Sequence, residues 1–303
     1  MAILTDVGGV RIGLDGESAP DLDLLRLREP SAEEIPGLLA TGYLIRPSEV
    51  TWLAPTGAGA GEFLSRLSGK DRQNIRTAQK SLAASGARIE IGTVHEQFMD
   101  EFLTLYARAL EGMTNAIPVA IKQRDAMLAD SDAYFAVAVR EAGRLVAACL
   151  AVRDAGRDLV RIRFSAAEAH LRGASVTRVL YLAAIDEARS RGVGRVSLGT
   201  DLNLYGHIVQ PGLFSFKVRL GFEAHSSPLA IDHGHDLAER IISLRRLGEP
   251  TLTLAYATRP DGTGIDQFTP LHLHVFTRET APDLRPYRAT FVGGVTVHHS
   301  GTA

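Results

Sequence analysis

The chain has 303 residues, of which 45% are hydrophobic and 22% charged, a composition typical of globular proteins that bury a substantial core. Its net charge of -2 excludes a global attraction to nucleic acid or anionic membranes, so any basic surface has to be local. No apolar run approaches the about 18 residues that span a bilayer, and residues 1–10 lack the pattern of a signal peptide, so we expect a cytoplasmic protein.

The first part of the chain, residues 1–60, is rich in glycine, proline and aspartate and contains short strand-like pieces at 10–12 and 49–53. A short helix is predicted to start at Ser31, because two glutamates follow in its first turn. The glycine-rich stretch 55–61 is predicted to be a connection. It lacks the Gly-Lys-Ser/Thr sequence that completes a phosphate-binding loop.

A basic helix is predicted from Glu62 to Ser85, with Leu67, Ile75, Ala78 and Leu82 on its apolar face. The opposite face carries three cations at intervals of four residues, Arg72, Arg76 and Lys80. Such a face is typical of a solvated helix surface. It also suits a phosphate-bearing partner, such as tRNA or a nucleotide-linked acceptor, and for this reason Arg72 and Arg76 are candidate substrate-binding residues.

The middle of the chain mixes strands and helices. We predict, in chain order, a strand 88–91, a helix 95–110, strands 134–139 and 145–152 joined by a turn, a strand 159–164, a helix 175–189, a strand 196–199, a helix 213–220 and a strand starting at 222. The core face of the long helix is predicted to hold Val179, Leu182, Ala183 and either Ile185 or Asp186. Cys149, the only cysteine, lies in an apolar strand and is predicted to be a small buried hydrophobe.

The last 75 residues are predicted to contain an amphipathic helix, with Leu237, Ile241 and Leu244 on one face, and two strands, 251–258 and 271–277, around a turn at Asp261-Gly262. A final strand at 292–297 is expected to pair with them, and His298 and His299 are expected to be disordered. The order of elements is mixed, and the tail makes the predicted fold class α+β.

Two segments resemble the GNAT acyltransferase family. Residues 139–148 resemble its central hairpin, in which a glycine turn precedes an apolar strand, and residues 216–222 (Phe-Lys-Val-Arg-Leu-Gly-Phe) resemble its closing signature. The family places a general-acid tyrosine four residues before the signature glycine, whereas this chain has Lys217 there. A Phe-Lys pair at this place is similar to Fem-type aminoacyltransferases, which use aminoacyl-tRNA, and to GNAT-like acyltransferases encoded with exopolysaccharide genes.

The basic helix supports the same resemblance, because residues 67–80 are similar to the Leu-x-x-x-x-Arg-x-x-Ile/Leu-Arg-x-Ala-x-Lys helix of that group. The resemblance implies a GNAT-like mixed sheet flanked by helices, with an incomplete N-terminal GNAT-like half. We therefore divide the sequence into an N-terminal region 1–110, a catalytic domain 111–228, and a C-terminal extension 229–303 of one helix and antiparallel strands.

The family holds the pyrophosphate of acyl-CoA on the backbone amides of a loop that begins a helix, a position that favours anions. The corresponding residues here are Arg172, Gly173, Ala174 and Ser175, which lack the family's glycine spacing. The alternative is that Ser175 only caps the helix. By resemblance, backbone amides of the strand that includes Arg163 and Ser165 polarise the reacting carbonyl.

Lys217 is the first candidate catalytic residue, since an ammonium group can stabilise an oxyanion or the alkoxide that leaves an ester. The alternative is a solvated helix lysine. Polar residues alternate in the preceding loop: Asp201 and His207 are candidate proton acceptors, Tyr205 a candidate donor to the leaving group, and Asn203, with Phe214, a candidate for substrate binding. Alternatively, these are ordinary turn residues.

The sequence thus predicts an N-acyltransferase with no tightly bound cofactor. Its donor substrate is an aminoacyl-tRNA, an acyl-CoA or an acyl carrier protein, and its acceptor is an amine of a peptide, an amino sugar or a natural-product intermediate. The alternatives are a non-catalytic ligand-binding module of GNAT shape, and a metal-dependent hydrolase built on the tail histidines, such as His272 and His274. We assign no metal site. The arginine- and alanine-rich composition suggests a bacterial source, and the oligomeric state is left open.

Overall fold

The computed structural model describes residues 3–6, 8–14, 21–111, 117–172, 175–231, 233–257 and 269–299. Its strands are β1 Ile3–Thr5, β2 Arg11–Leu14, β3 Leu24–Arg28, β4 Leu44–Pro47, β5 Glu49–Pro55, β6 Arg88–Thr93, β7 Tyr134–Glu141, β8 Arg144–Asp154, β9 Leu159–Ala167, β10 Arg195–Leu202, β11 Glu223–Ser226, β12 Asp236–Ile241, β13 Thr251–Tyr256, β14 Leu271–Thr277 and β15 Val295–His299. Its α-helices are α1 Ile35–Ala40, α2 Ala60–Ser65, α3 Gly69–Ala84, α4 Glu96–Leu110, α5 Val119–Lys122, α6 Arg124–Ala129, α7 Ala169–Arg172, α8 Val176–Ser190, α9 Pro211–Arg219 and α10 Ser227–Ile231. Three short 3-10 turns complete the regular structure, Ser131–Ala133, Ala155–Arg157 and Arg285–Tyr287.

The chain folds into two compact units, each assembled from separate stretches of sequence. Unit 1 contains residues 1–52, 200–218 and 223–303, and unit 2 contains residues 53–199 and 219–222. The units are defined by contacts in the folded chain. The predicted division into 1–110, 111–228 and 229–303 was based on sequence features and stays a prediction. None of the helices in the described part of the chain is long and apolar enough to cross a membrane.

Unit 2 is built on five neighbouring strands of a mixed sheet, in the order β10-β9-β8-β7-β6. Helices α4 and α8 both pack on its central strands. Ala136 and Ala138 of β7 belong to the same buried cluster as α4, while Cys149, which lies opposite Val137, contacts the carbonyl of Leu180 in α8. Because neighbouring residues of a strand point to opposite faces, the two helices cover the two faces of the sheet. This explains the continuous apolar runs in β7 and β8.

Local sequence signals gave the elements of unit 2 correctly in most places. The imidazole of His95 accepts a hydrogen bond from the amide of Phe98 and caps α4, which was predicted at 95–110. The hairpin turns at Ala142 and Gly143, which have φ angles of 48° and 81°, the left-handed values that a tight two-residue turn requires. Cys149 is fully buried, as predicted.

Two predicted helix starts were wrong. The helix predicted over 62–85 is split into α2 and α3, because the Ser68 side chain accepts a hydrogen bond from the amide of Asp71 and starts a new helix. The helix predicted to start at Ser31 begins at Ile35, and Ser31 instead donates to the carboxylate of Glu34 in the turn before it.

The predicted core face of the long helix α8 was correct only in part. Val179 and Ile185 are buried, whereas Leu182 and Ala183 are half-buried and Asp186 is exposed. The remaining fully buried positions of the helix were not predicted: Val176, Leu180, Ala184 and Ala188. The long helix therefore buries a face rotated from the predicted one.

Unit 1 contains two sheets, one of five strands with the order β1-β2-β3-β12-β4 and one of three strands with the order β13-β14-β15. Strand β14 has the predicted bounds, and β15 pairs with it in parallel. His298 and His299 lie in β15, so the expectation that they are disordered was wrong. The turn predicted at Asp261-Gly262 lies outside the described residues.

The amphipathic helix predicted around Leu237, Ile241 and Leu244 was wrong, because residues 236–241 form strand β12. This strand lies between β3 and β4 and is antiparallel to both. Its buried Glu239 accepts hydrogen bonds from arginines on both neighbouring strands, so tertiary contacts outweigh the helical spacing. Leu244 follows the strand and joins the core of unit 1.

Candidate active site

Strands β9 and β10 separate within unit 2. They pair in parallel through three residue pairs, from Leu159 opposite Arg195 to Ser197 opposite Arg161. Beyond these pairs, in the described strands, β9 continues beside β8 alone, and the register between β8 and β9 shifts at Arg163. The shift is a β-bulge, a device that bends a strand and re-aims its backbone groups. Backbone groups of β9 are therefore left without a partner on β10 along the predicted carbonyl-binding segment.

The side chains of the two candidate residues on β9 are occupied within unit 2. Nη1 of Arg163 donates to the hydroxyl of Tyr134 at 2.7 Å, and its guanidinium lies 5.2 Å from the ring centre of Phe164. The Ser165 hydroxyl is 2.9 Å from the hydroxyl of Tyr181, whose pKa burial raises to about 12. Any contribution of β9 to binding a carbonyl is thus expected from its backbone.

The predicted anion-binding loop is described only at its end. Gly173, Ala174 and the side chain of Arg172 lie outside the described residues. Ser175 occupies the N-cap position of α8, but its side chain caps no helical amide and instead accepts a hydrogen bond from Nη1 of Arg178. Its φ of 60° is left-handed, an uncommon conformation for a residue other than glycine. Ser175 is thus the N-cap residue, as the alternative from the sequence expected, but without a capping hydrogen bond from its side chain.

Unit 1 contains a buried charge pair formed by Lys217 and Asp201. Helix α9 carries Lys217 inward, where only 5% of the residue is exposed, and its Nζ lies 2.7 Å from Oδ1 of Asp201. The second oxygen, Oδ2, accepts hydrogen bonds from Nε1 of Trp52 at 2.8 Å and from the hydroxyl of Tyr205 at 3.2 Å. The structure thus brings together three of the four candidate catalytic residues, and Lys217 is not a solvated lysine.

Aromatic rings surround this pair. Phe214 packs edge-on against both Trp52 and Tyr205, with ring centres 5.4 and 5.3 Å apart, and Nζ of Lys217 lies 5.7 Å from the ring centre of Trp52. Burial lowers the pKa of Lys217, although the charge and hydrogen bond of Asp201 act in the opposite direction. Burial and the neighbouring Asp201 also raise the pKa of Tyr205 well above its usual value. This favours a neutral phenol and eases release of a proton from the lysine.

The other loop candidates are engaged within unit 1. The Asn203 amide donates to the carbonyls of Pro47 and Leu254 and accepts from the amide of Leu254. Nε2 of His207 lies 2.6 Å from the carboxylate of Asp6, away from the partners of Lys217. Their roles in catalysis and substrate binding remain predictions, as does the substrate role of Phe214.

The basic face of α3 lies in unit 2. Arg76 and Lys80 are exposed, while Arg72 is half-buried and donates to the carbonyl of Leu67. The apolar face was predicted correctly, since all four of its members are buried: Leu67, Ile75, Ala78 and Leu82. The proposed role of Arg72 and Arg76 toward a phosphate-bearing partner stays a prediction.

Two polar clusters were missed from the sequence. The first includes Trp52, which donates a hydrogen bond to Asp201 from 149 positions away in the sequence. No sequence signal marks Trp52 except that it is the only tryptophan. The second is Asp71, which accepts two hydrogen bonds from Arg219 within unit 2. Burial raises the pKa of Asp71, but hydrogen bonds from Arg219 and Ser68 outweigh it and lower the pKa overall. The capping sequence Ser68-x-x-Asp71 pointed only to the local half of that cluster.

The tail histidines meet in the three-stranded sheet. Nδ1 of His274 is 2.8 Å from Nε2 of His298, and Nε2 of His272 is 2.9 Å from the hydroxyl of Thr296. Among the described residues, no group of three or more histidine, cysteine, aspartate or glutamate side chains has the geometry to hold a metal ion.

Comparison with known families assigns the central part of the chain. Residues 69–207 match the family described as acetyltransferase (GNAT) domain. This segment is similar to GNAT acyltransferase domains. The prediction of a GNAT-type enzyme with an α+β fold is therefore confirmed, and acyl transfer is its general chemistry. No curated protein sequence matched the chain.

Solved structures similar to this chain include the C-terminal domain of a protein described as a lysylphosphatidylglycerol synthetase from Agrobacterium fabrum, with 14% identity, a TM-score of 0.45 and 76% of each chain covered. L-PGS from Bacillus licheniformis has 11% identity and a TM-score of 0.42, over 72% of this chain and 68% of that one. FemX has 11% identity and a TM-score of 0.46, over 73% and 72%. Similarity at these values carries no conclusion about function.

Proposed function

We propose that the protein is an N-acyltransferase that moves an acyl or aminoacyl group from an activated ester or thioester to an amine. The observation that carries the proposal is the buried pair of Lys217 and Asp201 inside an aromatic shell. A buried ionisable pair is expensive to maintain, and strongly perturbed groups cluster at functional sites. Its position in the Phe-Lys-x-x-Leu-Gly-Phe segment supports a role in acyl transfer.

The pair supplies the two charges that the reaction needs. When a neutral amine attacks the donor carbonyl, a C–N bond forms and negative charge develops on the carbonyl oxygen. The Lys217 ammonium stabilises that oxygen, or the oxygen or sulfur that leaves when the second bond breaks. Asp201 accepts the proton that the attacking amine loses, and it is oriented for this by Trp52 and Tyr205.

The donor is proposed to be an aminoacyl-tRNA, an acyl-CoA or an acyl carrier protein. The exposed part of the basic face on α3, Arg76 and Lys80, supports a phosphate-bearing donor or acceptor, because exposed cations one helical turn apart can contact successive phosphates. The acceptor amine is proposed to belong to a peptide, an amino sugar or a natural-product intermediate. The proposed acyl transfer needs no tightly bound cofactor.

Radiolabelled donors test this proposal. The purified protein is incubated with aminoacyl-tRNA, acyl-CoA and acyl carrier protein pools and with a panel of amines, and transfer is followed by chromatography. For the donor that reacts, Lys217→Met is expected to lower kcat by about 10²–10³-fold, the loss typical of one oxyanion donor. Lys122→Met removes an exposed lysine of α5 and is the matched control.

The outcomes separate the donor from the mechanism. Transfer by the wild-type protein with an unchanged rate in the Lys217→Met variant would disprove the role of the lysine. No transfer from any of the three donor classes would reject the proposed donors. Circular dichroism of both variants establishes that the compared proteins are folded.

A further inference from the structure

Unit 1 contains a cavity of about 410 Å³ on the β3–β12–β4 face of its five-stranded sheet; its lining includes the candidate residues Asn203 and His207 but not Lys217 or Asp201. This volume lies in the range of small-molecule sites. Its wall includes Arg26 and Arg28 of β3 and Arg46 of β4. The cavity, its lining and the sheet that forms it all belong to unit 1.

The register of the sheet places these three arginines on one face. Arg28 and Arg46 are both opposite Leu237 of β12, one on each side, and Arg26 is opposite Glu239. Side chains directly across neighbouring strands share a face, and residues two apart along a strand do too. Three arginines therefore lie on the same face of the sheet as Glu239, and two of them, Arg26 and Arg46, contact its carboxylate.

Glu239 neutralises only one of the three charges. Its Oε1 accepts from Nε and Nη2 of Arg46, and its Oε2 lies 2.5 Å from Nη2 of Arg26. The remaining nitrogen of Arg46, Nη1, donates to two backbone carbonyls. The side chains of Arg46 and Glu239 are each 2% exposed, so this ion pair is held in a fixed position next to the other two arginines.

Free donors remain at the cavity. Nη1 of Arg26 and the guanidinium nitrogens of Arg28 have no hydrogen-bond partner in the described part of the chain, and Arg28 is exposed. The imidazole of His235 also lines the cavity without a hydrogen bond among the described residues. Two carboxylates also line the cavity, and each lies 2.6 Å from a histidine nitrogen: Asp6 beside His207 and Glu49 beside His233.

We infer that this cavity, the arginine cleft, binds a small molecule through a phosphate monoester. Arg26 and Arg28 leave guanidinium donors free, and a phosphate monoester, which carries three acceptor oxygens and a charge of about -1.5 to -2 at neutral pH, can accept from both. Guanidinium groups suit the tetrahedral phosphate because they present several donors in a planar fork. Phosphate binding in the arginine cleft does not depend on acyl transfer. The inference therefore goes beyond the proposed function and is tested separately.

Binding of inorganic phosphate, measured by isothermal titration calorimetry at constant ionic strength, tests the arginine cleft. Phosphate is expected to bind the wild-type protein and to raise its Tm, and Arg28→Ala is expected to weaken Kd about tenfold or more, the loss of one charge-assisted contact. Arg28→Glu is expected to abolish binding. Arg240→Ala is the matched control, because Arg240 is an exposed arginine of β12 that alternates to the other face from Glu239.

Three results would overturn the inference. One is the absence of phosphate binding to the wild-type protein, and another is equal weakening by Arg28→Ala and Arg240→Ala, which indicates nonspecific charge attraction. The third is binding of succinate as tight as that of phosphate, which contradicts the phosphate monoester. None of these measurements involves a donor or an amine, so failure here is distinguishable from failure of the proposed acyl transfer.

Discussion

Replacing Lys217 with methionine is expected to destabilise the protein by about 3 kcal/mol. Removing one partner of a buried ion pair typically costs about 3–5 kcal/mol, because the other charge stays buried without its counterion. Here the carboxylate of Asp201 keeps two donors, Trp52 and Tyr205, so the cost falls at the lower end of that range. Methionine retains most of the volume and creates little cavity.

A double-mutant cycle isolates the pair itself. Asp201→Asn alone leaves the lysine facing a neutral amide, and we expect a loss similar to that of Lys217→Met. The double variant should lose less than the sum of the two single losses, with a coupling free energy of about 2 kcal/mol, as found for residues in one network. Urea denaturation followed by circular dichroism gives the three free energies of unfolding. Additive losses would refute the conclusion that the two side chains are coupled.

The pH dependence provides a second readout of the same pair. Burial lowers the pKa of Lys217, so between the folded-state pKa and the ordinary value of 10.5 the unfolded chain binds more protons than the folded chain. The free energy of unfolding contributed by this group therefore rises with pH through that interval. The difference between wild type and Lys217→Met should show this rise, and a difference independent of pH would contradict the lowered pKa.

Three further predictions follow from other buried groups. Trp52→Phe should cost about 1–3 kcal/mol, because Asp201 loses a buried donor, and circular dichroism must follow it since Trp52 is the only tryptophan; an unchanged urea midpoint would contradict this. Burial, with the nearby His298 and His272, lowers the pKa of His274 to about 3. The stability that the neutral His274 contributes should therefore be lost as pH falls from 6.5 toward 3, by up to about 1.4 kcal/mol per pH unit. His274→Phe should remove that slope in acid denaturation. Burial raises the pKa of the Cys149 thiol to about 12, so a thiol reagent should label the protein in urea and not in buffer, and rapid labelling in buffer would disprove the buried position.

The fold could be predicted from sequence wherever local signals determine the element. The cap at His95, the turn at Ala142-Gly143 and the alternation in β14 each lie within a few residues of the structure that they specify. Strand β12 could not be predicted in this way, since Leu237 and Ile241 fit a helix equally well. Its strand form depends on neighbours far away in the sequence, and periodicity does not report such neighbours.

The candidate site follows the same rule. Asp201, Tyr205 and Lys217 lie within one short stretch of sequence and were identified together, and the structure joins them. Trp52 completes their network from a distant strand, and the arginine cleft combines residues of three strands. Neither has a sequence motif, because their geometry arises from the pairing of strands and not from spacing along the chain.

Because β12 lies between β3 and β4, the five-stranded sheet of unit 1 can form only after the ribosome has synthesised β12. The charge of Arg46 is balanced by Glu239, which is synthesised 193 positions later. Until then β3 and β4 each present an open edge, the kind of surface that pairs with other chains. A nascent or truncated chain that ends before β12 therefore exposes two unpaired edges and an uncompensated arginine, and we expect such fragments to be ready substrates for chaperones and proteases.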